Sequence, residues 1–280
     1  MHRKIGSGAY GHVWKVTDKK TRKVKALKKN FDAFNNSTDA QRTYREIMFL
    51  MEVSHPNIIK LEEVIRAENH RDIYLIFEHM DIDLYTVIKE NILAERHRKY
   101  IFYQMCKALH YLHSAGLIHR DVKPSNVLLN ENCDAKLCDF GLVRSLEDRP
   151  PTLEGSDILT EYIATRWYRA PEILLGSRRY HRAIDIWSMG CLLAEMQKGK
   201  PLFPGTSTMN QLEKVVMWTG PPSDAEIESL QLTSGAEVFK MMGRSKKVNR
   251  KEVVPGASDL CLDLISRMLE FNPDRRPNIQ

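Results

Sequence analysis

The sequence predicts an α+β fold of two lobes around a cleft, the first small and strand-rich with one helix, the second larger and mainly α-helical. Three observations predict it. Apolar and polar residues alternate between glycine and charged turns through much of the first 77 residues; apolar residues recur at three- and four-residue spacing from residue 84 onward; and the two regimes change over within 78–83. At 280 residues with 42% hydrophobic content the chain can build one large domain or two lobes around a cleft, and the change of regime favours two: an N-lobe at 1–77, a hinge at 78–83 and a C-lobe at 84–280.

In chain order, residues 5–30 read as strands. Gly6, Gly8 and Gly11 punctuate a turn, Val13, Trp14, Lys15 and Val16 alternate, and a charged turn leads to a second run from Val24 to Lys28. Over 39–51 the period becomes helical, with Tyr44, Ile47, Met48 and Met51 at three- and four-residue spacing and Asp39 near the start. Short strands are expected at 58–65 and 73–77, then helices at 84–89 and 95–114, the latter closed by Gly116. Pro150, Pro151, Gly155 and Ser156 mark a loop within 139–172, and later helices centre on 187–197, 210–218 and 259–270. The basic stretch 244–251 reads as a solvated loop.

Composition excludes several classes. The net charge is +6, but 42 basic residues are interspersed with 36 acidic ones and no aromatic-basic motif accompanies them, so nucleic acid is not an expected partner. Five cysteines form no CxxC pair and no ligand spacing, which argues against zinc or a disulfide framework and for a reducing compartment. With no signal peptide and no apolar run long enough to span a bilayer, the expected location is cytoplasmic or nuclear, away from membranes.

The chemistry is carried by His119-Arg120-Asp121-Val122-Lys123-Pro124-Ser125-Asn126, followed by Asp139-Phe140-Gly141. A carboxylate at Asp121 can accept the proton of an attacking hydroxyl, Asn126 and Asp139 offer oxygens to a hard cation, and Lys123 can neutralise charge on a phosphoryl group in flight. His119 reads as a packing residue. Gly6-Ser7-Gly8-Ala9-Tyr10-Gly11 lets backbone NH groups approach phosphates; a strand follows it where a dinucleotide fold would need a helix, so a lid over a nucleotide is the better reading. Lys28, at the end of the second strand run, can bridge phosphates while Glu46 on the following helix fixes its position.

On these motifs, with Ala170-Pro171-Glu172 and Asp185-Ile186-Trp187-Ser188-Met189-Gly190, the chain resembles the eukaryotic protein kinases along nearly its whole length. The resemblance implies ATP and Mg2+ as cofactors and transfer to serine or threonine. Catalytic roles would fall on Asp121, Lys123, Lys28 and Glu46, and metal binding on Asn126 and Asp139. ATP would meet Ile5, Gly6, Ser7, Gly8, Ala9, Tyr10, Gly11, His12, Val13 and Lys28, with Phe77 as gatekeeper, backbone contacts at Glu78 and Met80, and Asp83 near the ribose. Cys138 would be a buried thiol facing that pocket, and Glu172 with Arg276 a structural ion pair.

Thr160-Glu161-Tyr162, followed by Ile163-Ala164-Thr165-Arg166-Trp167-Tyr168-Arg169, is similar to the mitogen-activated protein kinases. Residues Phe31-Asp32-Ala33-Phe34 and Phe203-Pro204-Gly205 are closer still to the atypical extracellular signal-regulated branch. That resemblance implies a switch by phosphorylation of Thr160 and Tyr162, supplied by an upstream dual-specificity kinase or by autophosphorylation and reversed by phosphatases. Arg45, Arg120 and Arg144 would sense phosphothreonine, Arg166 and Arg169 phosphotyrosine, because added phosphate charge orders a loop only where arginines await it. Substrates would be proteins with Ser/Thr-Pro sites, and the enzyme a monomer. The family's final helix and C-terminal extension would lie beyond Gln280, which leaves a catalytically impaired scaffold as the alternative use of the fold.

Overall fold

The computed structural model describes residues 3–8, 11–34, 36–146, 166–177, 181–230, 239 and 247–279. Five antiparallel strands, β1 (Arg3–Gly8), β2 (Gly11–Thr17), β3 (Val24–Asn30), β4 (Leu61–Arg66) and β5 (Ile73–Glu78), form one sheet in the order β1-β2-β3-β5-β4. The fourth strand is shorter than 58–65: Ile58 lies outside it and bridges to Leu137 instead. Alternation along β3 sends Lys25 and Lys28 to opposite faces. Lys25 ends on Glu62 at 2.9 Å, away from the side on which Lys28 meets helix α1 (Ser37–Glu52).

Asn36 caps α1 by accepting from the backbone NH of Asp39 at 2.8 Å, so the cap lies three residues before the carboxylate that sequence placed near the start. The apolar spacing on this helix points the other way from expectation. Its buried residues are Thr43, Glu46 and Leu50, whereas Tyr44 is 64% and Met51 69% exposed. The inner face carries a buried charge because Lys28 neutralises Glu46 there, beside Ile47, Phe49 and Leu50 packed on the core.

The remainder is mainly helical: α2 (Leu84–Lys89), α3 (Glu95–Ser114), α4 (Pro171–Leu174), α5 (Ala183–Lys198), α6 (Thr208–Thr219), α7 (Asp224–Ser229), α8 (Arg250–Val253) and α9 (Asp259–Met268). Helix α5 is buried on nearly all sides and forms the core, with Trp187 stacked on Phe203 at 5.9 Å and Phe203 edge-on to Trp218 at 6.2 Å. Short strands β6 (Ile82–Asp83), β8 (Val127–Leu129) and β9 (Ala135–Leu137) form one small sheet, and β7 (Leu117–Ile118) pairs with β10 (Arg144–Ser145). These short ladders escaped the sequence reading because two or three residues show no period. Of the basic stretch, 244–246 lie outside the described residues, Lys247, Asn249 and Lys251 are exposed, and Arg250 is half-buried, its guanidinium over the Trp218 ring at 5.3 Å and donating to the Trp218 carbonyl.

The two parts are joined by backbone and amide bonds. Ile59 NH donates to Leu137 O and Leu137 NH to Asn57 O, each at 2.9 Å, while the Asn57 amide donates to Gln104 Oε1 of α3 at 2.8 Å. The strand-rich part is thereby fixed against β9 and α3, with the cleft beside the joint. Among the described residues no helix is long and apolar enough to cross a membrane.

Candidate active site

The loop 119–126 hangs between β7 and β8 and is held from below by one carboxylate. Asp185, in the first turn of α5, accepts from His119 NH at 2.9 Å and Arg120 NH at 2.8 Å, and meets His113 Nε2 at 2.9 Å. Burial pushes the Asp185 pKa up, but these donors outweigh it and hold the group ionised below its ordinary value. Arg120 sits at φ 69°, a left-handed turn that such anchoring sustains. His119 is fully buried, with Nε2 3.1 Å from Cys138 O and its ring edge-on to Phe140, so it is a packing residue as expected; burial lowers its pKa.

Asp121 is the centre of this loop. Its Oδ2 accepts from Lys123 Nζ at 2.8 Å and from Asn126 Nδ2 at 2.9 Å. Its Oδ1 is buried and, among the described residues, has no hydrogen-bond partner. Burial raises the Asp121 pKa against the pull of the Lys123 charge. Since Asn126 spends its amide nitrogen on Asp121, its oxygen is the atom it can offer to a cation.

Asp139 follows β9 in a left-handed conformation, φ 62° and ψ 77°. Both its oxygens accept from Arg42 Nη2 of α1, at 2.9 and 3.2 Å. Burial opposes its charge, but Arg42, Lys28 and Lys123 hold the carboxyl far below the usual range. One turn along α1, Glu46 receives Lys28 Nζ on both oxygens at 2.7 Å. Desolvation works against the Lys28 charge, yet Glu46 and Asp139 carry its pKa above the ordinary value. Arg42 was missed by sequence reasoning, although its place four residues before Glu46 puts both on one helix face.

Above them, β1 and β2 pair Gly6 with Val13, Ser7 with His12 and Gly8 with Gly11. Ile5 lies on β1 and is 39% exposed; Ala9 and Tyr10 lie outside the described residues. Packing alone requires a glycine at position 11: a Cβ there would stand 1.9 Å from Lys29 O. Beneath lies a cavity of about 140 Å3 lined by Gly11, Val13, Lys28, Arg42, Glu46 and Asp139, among others.

At the joint between the two parts, Phe77 and Met80 are buried. The Glu78 carboxylate is held by Lys60 NH at 2.8 Å and Lys136 Nζ at 3.0 Å, and the Asp83 carboxylate caps α2 through Thr86 NH at 2.9 Å. The Glu78 NH is itself spent on Lys60 O at 3.2 Å. Cys138 is half-buried as a residue, and desolvation drives its thiol well above the usual range, which disfavours the thiolate.

Arg120 Nη1 donates to Leu142 O at 3.3 Å, and Arg144 lies on β10 opposite Ile118 with its Nη1 donating to Val143 O at 3.1 Å. Arg45 donates to Gln41 on its own helix at 3.2 Å, and Arg166 to Thr206 O at 3.3 Å. Arg169 follows the 3-10 turn Arg166–Tyr168. Thr160 and Tyr162 lie outside the described residues.

Among the described residues no three His, Cys, Asp or Glu side chains gather into a metal cage. A single carboxylate and one amide oxygen suit Mg2+, which keeps waters and takes phosphate oxygens to complete its shell. The residues present thus fit that ion when it arrives with a nucleotide.

Comparison with known proteins agrees with this geometry. Residues 1–280 match the protein kinase domain family. The chain is 54% identical over 274 residues to extracellular signal-regulated kinase 2 of Dictyostelium discoideum, covering 98% of this chain and 74% of that protein. It is also 54% identical over 279 residues to mitogen-activated protein kinase 15 of Xenopus laevis, covering 99% of this chain and 47% of that protein. Against mitogen-activated protein kinase 15 of Caenorhabditis elegans the identity is 48% over 284 residues, spanning 100% of this chain and 60% of that protein. The chain therefore belongs to the protein kinase family and, within it, to the mitogen-activated protein kinases.

Proposed function

We propose that this protein transfers the γ-phosphoryl group of ATP to serine or threonine hydroxyls of protein substrates, with Asp121 as the proton acceptor. The observation that carries this reading is the divided Asp121 carboxylate: Oδ2 is fixed by Lys123 and Asn126 while Oδ1 lacks a donor among the described residues. A buried acceptor without a partner costs about 1–3 kcal/mol, a cost that a substrate hydroxyl would relieve once a local opening admits it. Such a bond orients the attacking oxygen, and the proton passes to Oδ1 late in transfer.

Lys28, held by Glu46, would steady the α- and β-phosphates, and Lys123 would offset charge on the moving phosphoryl group. Mg2+, held by Asp139 and Asn126, would supply charge neutralisation on the phosphate oxygens. The glycine turn, including Ala9 and Tyr10, would close over the triphosphate, and the adenine would bond the backbone at Glu78 and Met80.

The proposal extends to Ser/Thr-Pro sites. Trp167 Nε1 donates to Gly205 O at 3.0 Å and Gly205 NH to Gln211 Oε1 at 3.0 Å, which braces the segment carrying Arg166 and Arg169 against α6. A braced wall favours a compact, preformed pocket for the residue after the acceptor. Thr160 and Tyr162 are proposed as the phosphorylation switch, set by an upstream dual-specificity kinase or by autophosphorylation and reset by phosphatases. The enzyme would act as a monomer in the cytoplasm or nucleus.

The test is purified protein with Mg-ATP and paired peptides differing only in Ser-Pro against Ser-Ala, with mass spectrometry of the peptide carrying Thr160 and Tyr162. Preferential transfer to Ser-Pro and phosphate on both loop residues supports the reading. Equal use of the two peptides removes the proline preference, and no transfer after treatment with an upstream kinase removes the enzyme.

A further inference from the structure

We propose that Arg42 is a resident counter-ion of Asp139 that a divalent cation must displace, so that Arg42 sets the metal requirement of the site and couples metal entry to α1. The inference rests on the assignment of Asp139 to the metal. Arg42 Nη2 lies 2.9 and 3.2 Å from the two Asp139 oxygens, the same oxygens that a metal would need. A guanidinium left on these oxygens sets its positive charge against the incoming cation and occupies lone pairs that the cation would use.

The contact runs from one nitrogen to both oxygens. A two-nitrogen fork would be the stronger arrangement, and this one is correspondingly easier to exchange for a cation. The Arg42 side chain is 21% exposed and that of Asp139 24%, so water can reach the pair and lower the cost of separating it. The Arg42 stem also lies across Gly141, where a Cβ would come within 2.5 Å of Arg42 Cγ and 2.7 Å of Nε. That close passage joins α1 to the turn Phe140–Leu142.

The structure also provides a second place for the displaced group. The cavity of about 140 Å3 beside Arg42 is lined by Asp39 as well as Asp139. Asp39 lies three residues earlier on α1, within reach of a helical side-chain pair, and its Oδ2 is bonded to Asn36 Nδ2. Arg42 can therefore trade one carboxylate for another without leaving the cavity. Glu46, four residues on from Arg42, keeps Lys28 in either position, so metal entry need not undo the phosphate-binding lysine.

The test measures Mn2+ affinity by electron paramagnetic resonance of the full chain with ADP, which reads binding without turnover. Arg42→Gln is expected to bind Mn2+ about tenfold more tightly than wild type, Arg42→Lys to remain within about threefold of it, and Asp39→Asn to bind more weakly. Asp139→Asn is expected to lose the site. If Arg42→Gln binds with unchanged or weaker affinity while Asp139→Asn loses the ion, Arg42 merely positions the carboxylate and the inference is overturned. If Asp139→Asn binds as wild type does, the metal assignment itself fails and the inference falls with it. Tighter binding in Asp39→Asn would remove the second resting place.

Discussion

Lys123 Nζ donates to Asp121 Oδ2 at 2.8 Å, and the ammonium that fixes the carboxylate also limits how far burial raises its pKa. The same contact thus serves geometry and protonation. A neutral residue at position 123 would remove both effects at once.

For Lys123→Met, the Asp121 carboxyl would therefore protonate at higher pH than in wild type. Because only the ionised form accepts the hydroxyl proton, the acid limb of kcat against pH should move upward and the plateau should fall by about 10²-fold or more. A pH–rate profile checks this. A lower plateau with an unmoved acid limb would assign Lys123 to the phosphoryl group alone.

Arg276 reaches Glu172 through two nitrogens, at 2.7 and 2.8 Å, donates to the carbonyls of Glu270, Phe271 and Ala183, and lies over Trp187 at 5.0 Å. Both side chains are almost fully buried. Arg276→Gln leaves the Glu172 carboxylate buried without its counter-charge, so urea unfolding should show a loss of about 3–5 kcal/mol. A loss under about 1 kcal/mol would show that water or a neighbour takes over the pairing.

Glu195 of α5 accepts from the Tyr168 hydroxyl at 2.8 Å, and burial raises its pKa to about 7 from the ordinary 4.5. The unfolded chain ionises first as pH rises, so this group's contribution is fully present below 4.5 and is lost as pH climbs through about 7. The loss amounts to about 3 kcal/mol. Glu195→Gln should flatten that part of the stability curve between pH 5 and about 8, as measured by chemical unfolding. Parallel curves for the two proteins would contradict it.

Gly11 faces Asn30 across the β2–β3 ladder with no space for a side chain, since Lys29 O would lie 1.9 Å from a Cβ. Gly11→Ala should push the glycine turn away from β3, lowering Tm and weakening ATP binding together. Unchanged Tm with weaker ATP binding would assign Gly11 to the phosphates alone.

Much of this was legible because kinase chemistry is written in local strings. The helices at 84–89 and 95–114 appear as Leu84–Lys89 and Glu95–Ser114, and Lys28, Glu46, Asp121, Asn126 and Asp139 meet around one cleft. Helix α1 shows what periodicity could not give. Of the apolar stripe Tyr44, Ile47, Met48 and Met51, only Ile47 packs against the core, because the ion pair with Lys28 and the contact of Arg42 with Asp139 turn Glu46 and Arg42 inward. Those partners lie 18 and 97 residues away in the chain, beyond any local pattern. The contact of Arg250 with Trp218 was hidden for the same reason, because that ring belongs to α6.

The most direct measurement compares wild type with Asp121→Asn, following phosphoryl transfer to a Ser-Pro peptide and, separately, the affinity for Mg-ATP. The account predicts transfer slower by about 10²–10⁴-fold with nucleotide affinity unchanged, because Asp121 meets the hydroxyl and not the triphosphate. Transfer within tenfold of wild type would contradict the assignment of Asp121 as proton acceptor.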